Sequence, residues 1–307
     1  MSKQYLRKAT LIIGAGSDLL DVSELHFTFK TTAHTLQTPG TLQLRLFNPA
    51  PNTIKKILDE GAQIVLSAGY NESFGIIFTG DIIQVRSGRE NGTDTYLDIS
   101  AADGDKIYNE SFVNVTLPAG TNATARLNQI ATSGQFKINQ IPDNLPTEQL
   151  PRGRVYFGLA RDHLRTTCAT VGANWSISNG QIDIVAENAY KAGDVPEINS
   201  QTGMIGVPMQ TLEGIAVKCL LNPGISQGIK VHLDNSSIQQ YQADLSYGAN
   251  AQNAIIPPLD GQGFYKVLYC THTGDTRGQE WYTDFVGYAG DHISRPDDVQ
   301  LRYMTPY

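Results

Sequence analysis

The feature that most constrains this chain is an apolar–polar alternation of period two that returns along most of its length. Glu24–Lys30 places Leu25, Phe27 and Phe29 on one face, and Thr41–Phe47 places Leu42, Leu44 and Leu46 on one face. Such segments fold as strands with one buried side. Thr10–Ile13, Gln63–Ser67, Gly75–Thr79, Asp81–Val85 and Thr95–Ser100 extend the pattern through the first hundred residues. One helix interrupts it: the spacing predicts Thr53–Glu60, with Asn52 as cap, Ile54, Ile57 and Leu58 on one face, and Gly61 as the stop.

The middle of the chain changes character. Asn122–Ser133 has helical spacing at Ala125, Leu127 and Ile130, and Gly158–Val171 repeats it with Leu159, Leu164, Cys168 and Val171. Between them lies a proline-interrupted connection. Trp175–Ser178 and Gln181–Val185 flank Asn179-Gly180, a dipeptide that favours the tight hairpin turn. Strands return at Thr211–Leu221, Gly228–Leu233, Gly263–Thr271 and Glu280–Tyr288, with a polar excursion at 234–262. The expected fold is mainly β with an α+β insertion: two tube-like β-barrel domains, 1–107 and 201–307, flanking a small α+β module at 108–200.

The outer thirds also resemble each other. Leu44-Arg-Leu-Phe-Asn-Pro49 followed by Ala62–Leu66 parallels Cys219-Leu-Leu-Asn-Pro223 followed by Ile229–Leu233. The hairpin of Ile82–Val85 and Tyr96–Ile99 parallels Phe264–Val267 and Trp281–Val286. A duplicated barrel with a module between the copies suits a ring or tube component.

Composition excludes several classes. The 307 residues carry 23 Lys and Arg against 30 Asp and Glu, a net charge of −7. Counted by thirds the charge is −2, −1 and −4, so no third is basic and a dedicated nucleic-acid groove is not expected. Apolar runs are short, and no membrane span is expected. The opening MSKQYLRKAT has no apolar stretch behind its charges, so no secretory signal is expected, and the seven Asn-X-Ser/Thr sites then imply no glycosylation. Cys168, Cys219 and Cys270 lie far apart in apolar stretches and read as buried thiols.

No catalytic constellation emerges. Gly14–Asp18 imitates the start of a dinucleotide fingerprint but lacks the third glycine and reads as a turn. Of six histidines, His272 in His272-Thr-Gly-Asp275 is the most suggestive, against a turn reading. Asp103-Gly-Asp105 lacks the other ligands of a calcium loop. Arg152 and Arg154 could grip an anion. The acid pairs Asp18/Asp21, Asp59/Glu60 and Asp297/Asp298 suit solvated turns. Catalytic, cofactor-binding and metal residues are all expected to be none.

Ile77–Val85 leading into Leu97-Asp-Ile-Ser-Ala-Ala-Asp-Gly-Asp105 resembles the first domain of baseplate hub proteins from contractile phage tails. Arg161–Arg165 through Gly172-Ala-Asn-Trp175 and Gly180–Ile184 is similar to the inserted module of that family. Gly263–Val267 with His272–Gly278 and Trp281 is similar to its closing hairpin. The resemblance implies a non-enzymatic homotrimer, six barrels round a channel, adapting a hexameric tail tube to a trimeric central spike. The implied partners are the tail tube protein, a separate central spike protein, other baseplate proteins and, transiently, passing DNA. The implied location is the virion tail, assembled in the bacterial cytoplasm. Inter-subunit contacts are expected near Thr10–Phe29 and Gln63–Val85. The alternatives are a carbohydrate- or receptor-binding virion module using Tyr247, Phe264, Tyr265, Trp281, Tyr282, Tyr288, Tyr303 and Tyr307, and a hydrolase using His272 and Asp275.

Overall fold

A computed structural model describes residues 4–15, 18–58, 63–187, 189–240 and 257–289. The alternating segments become β1 (Arg7–Ala15), β2 (Asp18–Asp21), β3 (Phe27–His34), β4 (Thr41–Phe47), β5 (Gln63–Tyr70), β6 (Ser73–Arg89) and β7 (Thr95–Ala102). The two segments read at 75–85 are one long strand, β6. The helix α1 runs Pro51–Ile57, ahead of its expected start. Pro51 presets the helical φ, so Ala50 rather than Asn52 is the capping position.

The insertion contains α2 (Asp105–Asn109), β8 (Phe112–Leu117), α3 (Ala123–Gly134), β9 (Ile138–Gln140), β10 (Arg154–Leu159), α4 (Ala160–Thr170), β11 (Ala173–Ser178) and β12 (Gln181–Ala186). Asn122 caps α3, its Oδ1 accepting the Ala125 N–H at 2.8 Å. Gly158 and Leu159, expected in the second helix, instead end β10, which pairs antiparallel with β8. Asn179 (φ 53°) and Gly180 (φ 73°) both adopt the left-handed turn that their identity predicts. Leu127, Ile130, Leu164, Cys168, Trp175 and Ile182 form a core belonging to this module alone.

The last part holds β13 (Glu197–Ile198), β14 (Met209–Thr211), β15 (Gly214–Leu220), β16 (Lys230–Leu233), β17 (Phe264–Asp275) and β18 (Trp281–Ala289). Residues 241–256, most of the polar excursion, lie outside the described residues.

The fold is mainly β with an α+β insertion, as the alternation predicts. The alternation did not reveal how the two outer thirds join. Strands β1–β7 and β13–β18 form one 13-stranded sheet, ordered β14-β15-β18-β17-β3-β4-β7-β6-β5-β1-β2, with β16 beside β17 and β13 beside β16. The seam is the antiparallel pair β17–β3, with His272 opposite Thr31. Among the described residues no ladder closes either outer third into a separate ring. Period-two patterning fixes which face of a strand is buried, not which strand lies beside it. The seam also mixes the cores: Trp281 of β18 packs among Phe29, Leu66 and Tyr70, and its indole N–H donates to the Gly69 carbonyl at 3.3 Å.

Candidate functional site

The duplication is written in the hydrogen bonds. In the first copy the order β4-β7-β6-β5 is antiparallel throughout, and in the second β15-β18-β17-β16 repeats it. β6 carries a bulge against β7, at Ile82/Gln84, and β17 carries one against β18, at Val267/Tyr269. Those bulges set the correspondence. Ile82 matches Val267, not Phe264 as the sequence alignment places it. A shift of three residues would turn every side chain to the opposite face.

The registers agree at every step. Leu44 opposes Ile99 as Val217 opposes Phe285, and Ile64 opposes Gly80 as Val231 opposes Tyr265. The Asn48 N–H donates to the Thr95 carbonyl at 2.8 Å, and the corresponding Leu221 N–H donates to the Trp281 carbonyl at 3.1 Å. The Glu90 N–H reaches the Asp94 carbonyl at 3.0 Å, and the Asp275 N–H reaches that of Glu280 at 2.9 Å.

With this register, a polar triad appears twice on the side of the sheet opposite the apolar core. In the first copy Arg45 on β4 grips Asp98 on β7 through two bonds, Nε–Oδ1 at 2.7 Å and Nη2–Oδ2 at 3.0 Å. Its guanidinium lies 4.2 Å from the Tyr96 ring centroid. In the second copy Lys218 on β15 lies 3.8 Å from Asp284 on β18 and 4.5 Å from the Tyr282 ring centroid. Arg45 matches Lys218, Tyr96 matches Tyr282 and Asp98 matches Asp284. The Asp98 hydrogen bond raises the Arg45 pKa above its ordinary value. Gly88 makes room for the first triad, because a Cβ there would lie 2.5 Å from the Tyr96 ring.

An open cleft of about 450 Å³ runs along this face, lined by Lys30, Gln43, Arg45, Asp98, Ser100 and Thr273 among others. It is open to solvent and mixes polar walls with apolar ones, including Phe29, Leu44 and Ile99, unlike the enclosed and mainly apolar lining of a small-molecule pocket. Each triad holds a cation beside an anion, so the face carries charge in compensated form. Tyr96-Leu-Asp98 and Tyr282-Thr-Asp284 share a Tyr-x-Asp pattern, the signal by which sequence reasoning could have found them.

The sequence candidates fall elsewhere. His272 is buried and its Nδ1 lies 2.8 Å from Thr283 Oγ1; burial pulls its pKa down to about 4. Asp275 does not meet it. Three residues apart on one strand, the two point to opposite faces, and Asp275 instead lies 2.8 Å from His26 Nε2 and accepts the Arg277 and Gly278 N–H groups. Burial opposes ionisation of Asp275, but those bonds outweigh it and hold its pKa below the usual carboxylate value. The hydrolase pair is thus not assembled.

Asp103 is buried and clamps the inserted hairpin, accepting the Asn179 N–H at 2.7 Å and the Gly180 N–H at 2.6 Å. Asp105 accepts from Asn109 Nδ2 at 2.8 Å, so the two carboxylates serve different elements. Among the described residues no group of three His, Cys, Asp or Glu side chains could hold a metal ion. The Arg154 guanidinium stands 5.1 Å from the Tyr156 ring centroid, and Arg152 is exposed. All three cysteines are buried; burial pushes the Cys168 and Cys219 thiols up to about 12, and Cys270 also upward.

Asp21 accepts from Ser23, and Gly14 and Ala15 of β1 pair with Leu19 and Asp18 of β2, where a phosphate loop would instead lead from a strand into a helix; Gly16 and Ser17 lie outside the described residues. Asp59, Glu60, His292, Asp297, Asp298, Tyr247, Tyr303 and Tyr307 lie outside the described residues. Of the aromatic residues proposed to stack sugars, Trp281 and Tyr265 are core side chains, Tyr282 faces Lys218, and Phe264 faces Lys230.

No curated protein matches the sequence significantly. Among solved structures, a tail protein from Neisseria meningitidis is similar at TM-score 0.56 and 10% identity, covering 93% of this chain and 98% of its own. The 43 kDa tail protein of prophage MuSo2 from Shewanella oneidensis is similar at 0.56 and 9%, covering 94% and 99%. A component of the type VI secretion system of Escherichia coli is similar at 0.51 and 11%, covering 88% and 76%. At such identities these likenesses describe the fold. The model of the family described as baseplate hub gp41 matches residues 44–244, a span from β4 across the whole insertion and into the second copy of the repeat. The chain therefore belongs to the baseplate hub gp41 family, structural proteins of the phage tail.

Proposed function

We propose that the chain acts as a non-enzymatic adaptor in a contractile tail. Three copies form a ring with six similar units, one face meeting a hexameric tail tube and the other a trimeric central spike. The units are the two repeats, in domains bounded near 1–107 and 201–307, and the module at 108–200 stands outside the ring. Assembly takes place in the host cytoplasm, before the tail is complete.

One observation carries this reading: two copies of a four-strand unit, in the same register, lie in one continuous sheet with the same triad on the same face. Two matched units per chain give six in a trimer, which suits contact with sixfold and threefold neighbours. The polar face then lines the channel. Pairing Arg45 with Asp98 and Lys218 with Asp284 leaves little free positive charge to hold a passing polyanion.

The test is solution mass by light scattering across a range of concentrations, together with electron microscopy of the particles. The expected result is a ring of about 100 kDa, three times the 33.5 kDa chain, with a central opening. A monomer at every concentration, persisting with the tail tube and spike proteins added, would overturn the proposal.

A further inference from the structure

Among the described residues, the internal repeat leaves one strand edge covered in the second copy and open in the first. On β17, residues Tyr269–Asp275 are flanked by β18 on one side and β3 on the other. The matching stretch, Gln84–Arg89 of β6 with Glu90 after it, has β7 on one side. On its other side the described part of β5 begins at Gln63, opposite Asp81. Burial follows: Cys270, Thr271 and His272 are buried, whereas the matching Arg86 and Ser87 are exposed and Val85 is half-buried.

The direction of the open groups is fixed. The Glu90 N–H bonds to Asp94 in the hairpin, so alternate residues back along β6 bond to β7. Val85, Ser87 and Arg89 then turn their backbone N–H and C=O groups outward. Among the described residues no backbone bond reaches them from that side. An unfilled edge of this kind is a template for another strand.

The repeat also names the strand. In the second copy the edge of β17 is filled by β3, the strand before β4. The corresponding strand before β15 is β14: Gln210 opposes Ile215 as Thr31 opposes Leu42. We infer that the open edge of β6 pairs antiparallel with the Ile205–Thr211 segment of a neighbouring copy of this chain. Carrying the β17–β3 register across, Ser87 faces Gln210 of the neighbour as His272 faces Thr31 within one chain.

Among the described residues, Gln239 bridges the outward side of β14. The Gln210 N–H donates to the Gln239 carbonyl at 2.9 Å, and the Gln239 N–H to that of Pro208 at 2.8 Å. The neighbour's β6 displaces this bridge. Exposed Val207 and Met209 lie on the same segment and are covered in the process. The contact joins unlike surfaces head to tail, so it closes into a ring or continues as a filament according to its rotation.

This inference rests on the trimeric reading, and the experiment separates the two. The full chain carrying Ser87→Cys and Gln210→Cys is oxidised and run on non-reducing gels, beside each single variant. Directly opposed strand residues have Cα atoms about 5.5 Å apart or closer, within disulfide range, and the native thiols are buried. A covalent species ending at three chains, from the double variant only, is the expected result. A trimer by light scattering without that crosslink overturns the edge pairing and leaves the trimer standing. A monomer with no crosslink overturns both.

Ser87→Pro supplies a second readout. Its N–H points away from β7, so the fold should survive. The expected result is native circular dichroism with at least a tenfold weaker self-association. An unchanged trimer would refute the pairing.

Discussion

Replacing Asp103 tests how the inserted module is held to the first repeat. Its carboxylate bridges the end of β7 to the Asn179-Gly180 turn through two backbone N–H groups. It is nine-tenths buried, and desolvation is the largest influence on it: its pKa rises from 3.8 to about 6, even though the two N–H bonds and Lys191 pull it down. The folded chain therefore holds a proton that the unfolded chain releases at a lower pH. Stability from this group is fully present below pH 3.8 and is lost as the pH rises through about 6. Between pH 4.5 and 7.5 that linkage amounts to about 2 kcal/mol.

Asn at 103 keeps the shape and cannot titrate. The assay is urea unfolding of wild type and Asp103→Asn at several pH values, followed by fluorescence of Trp175, which is buried in the clamped hairpin. The stability of wild type relative to the variant should fall by about 2 kcal/mol from pH 4.5 to 7.5. A difference that is flat with pH, or that grows in favour of wild type, would refute the reasoning. It would mean that the two backbone bonds outweigh burial and that the group ionises at an ordinary pH.

Three further outcomes are expected. Trp281→Ala should cost about 3–5 kcal/mol, because the indole fills a core built from strands of both repeats; a loss under about 1 kcal/mol in thermal or urea unfolding would contradict that packing. The three thiols should resist a disulfide reagent at pH 8 and all react on unfolding, since burial raises each pKa; rapid labelling of the native chain would show the burial to be wrong. Replacing both Asp98 and Asp284 by Ala should change stability by about 1 kcal/mol or less per site, because those pairs are half-exposed, yet on the proposed ring should raise salt-sensitive binding of the protein to double-stranded DNA. Unchanged DNA binding would argue that the triad face does not line the channel.

Strand identity was legible because alternation is a local property. Thr41–Phe47 is a strand at its expected bounds, and Asn179-Gly180 turns as its dipeptide dictates. The short strands β8 and β10 escaped notice. Phe112, Val155 and Phe157 leave an exposed apolar side there, which masks the half-buried pattern. The repeat was visible, but its register was not. An alternating hairpin matches its copy almost as well when slid along, and only the bulges at Ile83 and Leu268 pin the alignment. The triads depend on that register, since Arg45 and Asp98 are distant in sequence and meet only across paired strands. The His272–Asp275 idea failed for the converse reason. Closeness in sequence along a strand separates side chains onto opposite faces.

The same register accounts for where the copies have diverged. On β17 the flanked stretch carries Thr271, Thr273 and Gly274, small side chains that admit β3 alongside. On β6 the matching stretch carries Arg86, Gly88 and Arg89, with Glu90 at its end. Charged side chains on an open edge keep it from pairing with arbitrary strands before its own partner arrives, and the outward-facing stretch is only a few residues long. A strand covered within its own chain during folding has no need of that protection. The covered copy therefore packs Cys270 and His272 into its core, while the open copy keeps ions on its surface. On the proposed edge pairing, divergence between the repeats follows from one difference in assembly: β17 meets β3 within the chain, and β6 would meet its neighbour only when a second chain is present.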